Sequence, residues 1–292
     1  MKNYDIMMIG HISKDIMIDY KGNEQRLTGG PVVHSSAAAV GAGAEVLVVT
    51  KSSRQDRSLL VPLEANGADW LILDSPETTS IRNVYHTEEQ ERRDVTLLSR
   101  ADPFTPEEIP ENPVRIFHMA GLFRGELPES LIEVLSTRGL VAVDAQGLLR
   151  CSEGDSLFFK DWEEKLKYLP LISYFKVDAA EAEILTGERD REAAALQLVQ
   201  WGARELMLTH NSEVLICHDG KISRAPYTNR SFIGRTGRGD TTFAAYLAWR
   251  QHHSVQESVT FAAALCSIKM ESPGPFEGTI EDVRERIRKD YS

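Results

Sequence analysis

The chain has 292 residues, is 42% hydrophobic and carries a formal net charge of −11. This length accommodates one large domain or two smaller ones, with enough apolar residues for a sizeable core. The acidic balance argues against nucleic acid or an anionic membrane surface as the main partner, because both reward clustered lysine and arginine.

Ile6-Met7-Met8-Ile9 before Gly10 has the pattern of a fully buried strand. Residues Asp15 to Thr28 alternate around Lys21-Gly22-Asn23, which predicts a hairpin ended by Gly29-Gly30-Pro31. A small-residue helix, Val33 to Val40, leads into a strand at Val46–Val49. Strand-like pieces at Ile81–His86 and Asp94–Leu98 flank a charged turn, Glu88 to Arg93. The two hairpins lie outside the main pattern and predict a small separate sheet.

From about Arg115 strands and helices alternate. Ile116–Met119 precedes a helix with Leu127, Leu131, Val134 and Leu135 on one face. Val141–Asp144 follows, then a long loop containing Trp162, a strand at Ile172–Val177, and helices at Ala179–Leu185 and Arg191–Trp201. Leu206–Thr209 and a hairpin from Val214 complete the strands. Such alternation predicts a mostly parallel sheet covered on both faces, with ligands at the carboxyl ends of its strands. Asp144, Asp178, Thr209 and Asp240 fall at or just beyond such ends. The basic run Arg284 to Lys289 is expected to be a solvated helix face.

Cys151, Cys217 and Cys266 are odd in number and widely spaced, which fits neither a disulfide framework nor a metal site and suggests a reducing cytoplasm. The first apolar stretch is too short for a signal peptide, and no later one is long enough to span a bilayer, so a cytoplasmic protein is expected.

The most informative stretch is Thr236-Gly237-Arg238-Gly239-Asp240, directly before the apolar run Phe243 to Trp249. Glycines there let backbone N–H groups point outward, and a helix N-terminus favours an anion such as phosphate. A carboxylate beside such a site suits a base that takes a proton from a hydroxyl being phosphorylated. The alternative is a tight turn with Asp240 as helix cap.

Taken together, the motifs resemble the ribokinase-like (PfkB) carbohydrate kinases, over roughly Tyr4 to Arg288. Gly234 to Asp240 is similar to the family's closing signature, which implies Asp240 as catalytic base and the amides of Gly237, Arg238 and Gly239 as anion hole. Gly10-His11-Ile12-Ser13-Lys14-Asp15 resembles the opening strand with its sugar-binding Asp15, and Gly29-Gly30 resembles the glycine pair against the substrate. His34 stands where many members carry a sugar-binding asparagine. Asp178-Ala179-Ala180-Glu181 resembles the helix that organises magnesium, which implies Asp178 and Glu181 at the metal. Thr209 and Asn211 belong to the segment that touches nucleotide in the family.

The resemblance thus implies a doubly wound, mostly parallel α/β sheet with helices on both faces, in one domain over residues 1–292. A small β lid would come from about residues 12–29 and 78–100. It implies ATP as donor, Mg2+ as cofactor, and a sugar or cyclic polyol as acceptor, with a homodimer through the lid as a candidate assembly. Gly234 replaces an Asp that helps build a monovalent-cation site, so turnover is expected to be indifferent to potassium. Several departures, with Ser267 to Pro275, resemble a branch that includes inositol kinases. The alternatives are a non-catalytic sugar sensor and a kinase for nucleosides or vitamin-like rings.

Overall fold

A computed structural model describes residues 1–60, 64, 66–87 and 93–291. Residues 88–92 of the expected charged turn lie outside the described residues. The strands, in chain order, are β1 (Tyr4–Ile9), β2 (Ser13–Ile18), β3 (Glu24–Gly29), β4 (Val46–Ser52), β5 (Asp69–Asp74), β6 (Thr79–Tyr85), β7 (Arg93–Ser99) and β8 (Val114–Met119). They continue with β9 (Leu140–Asp144), β10 (Arg150–Glu153), β11 (Ser156–Phe159), β12 (Tyr174–Asp178), β13 (Glu205–Thr209), β14 (Glu213–His218) and β15 (Lys221–Pro226).

The main sheet runs β15-β14-β13-β12-β9-β8-β1-β4-β5. Its pairings are parallel from β5 to β13, and β14 and β15 add an antiparallel edge. This is the expected doubly wound, mostly parallel architecture. Strand β1 shows why it forms: Ile6 and Met8 point to one face, Met7 and Ile9 to the other, and all four are fully buried. Burying each such side chain is worth about 1.5–3 kcal/mol, so a strand apolar on both faces is stable only between two helical layers.

One layer holds the helices Pro31–Gly41, Arg238–Arg250, Val255–Met270 and Ile280–Asp290. The other holds Ser130–Ser136, Ala179–Thr186 and Arg191–Gln200. No helix of the described residues is long and apolar enough to cross a membrane.

A second sheet runs β10-β11-β7-β6-β2-β3. Strands β2, β3, β6 and β7 come from the two hairpin regions expected from the sequence. The third contribution was not expected: the segment read as a long loop before Trp162 contains the hairpin β10–β11, which pairs with β7 through Ser156 and Thr96. Its strands are four residues each and turn at Gly154, too short to show a periodicity.

Three smaller expectations also change. Strand β5 adds an edge to the main sheet that the sequence reading lacked. Leu127 precedes the helix Ser130–Ser136, and Val134 is exposed rather than on its buried face. Arg286 is not a solvated charge: it is buried and bonds Glu271 at 2.9 and 3.0 Å, because a guanidinium inside the fold needs a carboxylate partner.

Candidate active site

Asp144 at the end of β9, Lys176 on β12 and Asn211 just past β13 meet the N-terminal turn of the helix Arg238–Arg250. Gly237 is the N-cap residue, with φ +77°, a conformation that glycine adopts without steric penalty. A Cβ at Gly237 would also fall 2.3 Å from Cγ of His34, so the His34 ring packs directly under this turn. The Arg238 amide donates to Arg235 O at 3.2 Å. The amides of Gly237, Gly239 and Asp240 have no backbone acceptor, which leaves three donors at the positive end of the helix, whereas the Arg238 amide expected among them is taken.

Asp240 stands in the first turn, half-buried. Burial, with the Asp144 carboxylate adding to it, pushes its carboxyl up to about 6 against the pull of Lys176, Lys269 and Arg150. A base tuned close to neutral pH is well matched to accepting a hydroxyl proton.

Asp144 ends β9 and is buried, accepting from Lys176 Nζ at 3.0 Å and from the Gln146 amide at 3.0 Å. Lys176 is itself buried, 3.7 Å from Glu181 Oε2, and a Cβ at Gly239 would lie 3.2 Å from its Nζ. Burial alone would lower the Lys176 ammonium, but Asp144, Glu181, Asp178 and Asp240 outweigh it and hold the group well above the usual lysine range. A permanent positive charge therefore lies beneath the Gly237–Gly239 turn.

Asp15 on β2 meets the junction between β3 and the helix Pro31–Gly41. A Cβ at Gly29 would fall 2.2 Å from Asp15 Oδ2 and 3.0 Å from Ser13 Oγ, so the Asp15 carboxylate rests on the Gly29 backbone. Gly30, at φ +100°, is the N-cap residue of the helix Pro31–Gly41. That helix lies against the Asp240 helix, with Ser35 Oγ donating to Asp240 O at 3.4 Å. His34 is buried with Nδ1 unbonded, and burial together with Lys269 lowers its pKa to about 3. At neutral pH it is an uncharged ring. Asp15, Gly29, Gly30, His34, Gly237 and Asp240 thus form one connected group.

The segment expected to touch nucleotide is tied up by side chains of the chain itself. Asn211 Oδ1 accepts from Arg235 Nη2 and from Arg238 Nη1, both at 3.0 Å, and Arg238 lies 5.8 Å over the Tyr227 ring. Thr209 is buried, its hydroxyl directed to Val177 O at 3.5 Å. Asp178 and Glu181 form a reciprocal cap on the helix Ala179–Thr186: Asp178 N donates to Glu181 Oε2 at 2.7 Å and Glu181 N to Asp178 Oδ1 at 2.8 Å. Burial, reinforced by Asp178 and Asp144, raises the Glu181 carboxyl above the usual range even with Lys176 beside it. The described residues contain no group of three His, Cys, Asp or Glu that could hold a metal. This donor set fits an outer contact from half-buried Asp178 to a hydrated magnesium, and not direct ligation by Glu181.

The sequence reading gave no role to Lys176 or to Lys269, although the second lies within the Ser267 to Pro275 stretch. Their one signal is a lysine inside an apolar stretch, Phe175-Lys176-Val177 and Ile268-Lys269-Met270.

With this geometry in place, the comparisons are specific. The model of the pfkB family carbohydrate kinases matches residues 57–282. The chain belongs to this family. A solved pyrophosphate-dependent kinase of the ribokinase family, complexed with a pyrophosphate analog and myo-inositol, is 38% identical with a TM-score of 0.88, covering 96% of this chain and 99% of that one. A pyrophosphate-dependent myo-inositol-1 kinase converted into a myo-inositol-3 kinase by two substitutions is 36% identical at the same TM-score, covering 98% of this chain and 100% of that one. The cytidine kinase of Thermococcus kodakarensis is 24% identical over 254 residues, 84% of this chain and 87% of its own. Ribokinase of Arabidopsis thaliana with ribose and ATP shares the fold, at a TM-score of 0.78 and 15% identity, covering 98% of this chain and 99% of its own.

Proposed function

We propose that this family member transfers a phosphoryl group from inorganic pyrophosphate to a hydroxyl of a cyclic polyol of the inositol class. The observation that carries the transfer is the placement of Asp240, tuned to about 6, beside three unbonded helix amides and the turn that rests on His34. The hydroxyl gives its proton to Asp240 as its oxygen bonds the terminal phosphorus. The bridging P–O bond breaks, and phosphate leaves with the electron pair. The Gly239 and Asp240 amides hold the charge on the transferred oxygens, a contact worth about 2.7–4 kcal/mol per donor. Lys176 adds a fixed charge below them.

Two features favour pyrophosphate over the ATP implied by the family resemblance. Relatives at 36–38% identity over nearly the whole chain use pyrophosphate. Arg235 and Arg238 also converge on Asn211, which puts two guanidinium groups where a nucleotide loop was expected and suits a compact, doubly charged leaving group. Asp178, at the end of β12, would hold a hydrated magnesium, which would neutralise part of the pyrophosphate's charge. The lid sheet closes over the polyol and keeps out water that would otherwise take the phosphoryl group.

ATP is the second reading, supported by the family and by the nucleotide-bound members of the fold. The test is phosphorus NMR of the protein with inositols, sugars or nucleosides and either donor. Inositol phosphate formed from pyrophosphate is expected. Product from ATP alone would overturn the donor, and a phosphorylated nucleoside in preference to inositol would overturn the acceptor. Absence of product from every pair would overturn phosphoryl transfer itself and leave the sensor alternative.

A further inference from the structure

Lys269 lies in the last turn of the helix Val255–Met270 and is 2% exposed. Its Nζ donates to Gly234 O at 2.6 Å and to Thr236 O, and among the described residues it forms no ion pair. A buried ammonium held by carbonyl oxygens alone has the surroundings of a dehydrated monovalent cation. Burial lowers it to about 8, with Cys266 and Asp240 pulling the other way, so it keeps its charge at neutrality.

The backbone beside it leaves no room for a side chain at position 234. A Cβ at Gly234 would fall 1.8 Å from Ser272 O and 2.8 Å from Lys269 O, so a carboxylate side chain cannot be placed there. Gly234 N donates to Met270 O at 2.9 Å, which straps the segment to the helix end. Residues Gly234 to Thr236 then run directly into Gly237 and the unbonded amides. The helix terminus and the loop carbonyls together concentrate negative partial charge, which repels a bound anion unless a cation sits among them. The field of Lys269 also reaches Asp240 and His34.

We infer that Lys269 is a tethered monovalent cation, whose ammonium occupies the place a dissolved potassium or ammonium ion would otherwise fill and shapes the anion hole. It is a positioning residue, and the inference rests on the phosphoryl-transfer reading of that site. The expectation that turnover is indifferent to potassium acquires its physical cause here: the cation is part of the chain.

The test uses the whole protein with Lys269→Ala, which opens the position, and Lys269→Met, which fills it without charge. Melting temperature and turnover are followed in sodium, potassium, ammonium, methylammonium and tetramethylammonium chlorides at equal ionic strength. The wild type is expected to respond to none of them. Lys269→Ala should lose about 10²-fold in kcat with little change in polyol KM, then recover about tenfold with ammonium or methylammonium and not with tetramethylammonium. The same ions should raise its melting temperature, and Lys269→Met should respond to neither measurement. A Lys269→Met protein with wild-type kcat overturns the inference, as does a Lys269→Ala protein unresponsive in both measurements or unfolded in every salt. If the wild type turns over no substrate pair, the proposed function fails, while the melting series still decides the cation position.

Discussion

Replacing Asp240 by Asn separates catalysis from stability in opposite directions. The carboxyl moves from 3.8 in the unfolded chain to about 6 in the fold. That difference amounts to up to about 3 kcal/mol of opposition to the ionised form, because each pKa unit is about 1.4 kcal/mol. The figure already contains the attraction of Lys176, Lys269 and Arg150, which the burial and Asp144 outweigh. Asn is neutral and nearly isosteric, so it removes the opposition and leaves the packing in place.

The sign follows from proton binding. Between pH about 4 and about 6 the folded state binds more protons than the unfolded one, so wild-type stability falls as pH rises through that window. Asp240→Asn should therefore be more stable than wild type above pH 6, by up to about 3 kcal/mol, with the difference vanishing below about pH 4. Turnover should fall by at least about 10²-fold, the low end of general-base effects. Calorimetry at pH 4, 6 and 8 with steady-state kinetics on the same preparations checks both. Near-wild-type turnover refutes the base. A variant less stable than wild type at pH 8 refutes the picture of a carboxylate held against its burial.

The pH profile should show the same group: kcat/KM is expected to fall below about pH 6 as Asp240 gains its proton, and a flat profile down to pH 5 would contradict it. Asp15→Ala should raise the polyol KM roughly tenfold to a hundredfold, since a hydrogen bond to a charged group is worth about 1.5–3 kcal/mol; an unchanged KM places the acceptor elsewhere. Lys176→Met should cost about 3–5 kcal/mol in denaturant unfolding by stranding buried Asp144 and Glu181, and should also reduce turnover; unaltered stability would mean these carboxyls take up protons without penalty.

The sequence alone determined the layering and most of the elements. Residues Ile6 to Ile9 are apolar on both faces and can only be an interior strand, and strand–helix alternation from Arg115 onward demands a covered parallel sheet. Gly237 and Gly239 before an apolar helix were legible for the same reason, since their spacing is a local backbone property. What local pattern could not carry was charge buried by tertiary neighbours. Lys176 and Lys269 are ordinary letters in the chain. Only the fold brings Asp144 to within 3.0 Å of the first and the carbonyls of Gly234 and Thr236 to the second. The third lid hairpin escaped similarly, because Arg150–Glu153 and Ser156–Phe159 become strands chiefly by pairing with each other and with β7. Hydrophobic periodicity acts between near neighbours in sequence and survives in the one-dimensional pattern. The electrostatics of the site depends on distances between residues tens to hundreds of positions apart, and those distances exist only once the chain has folded.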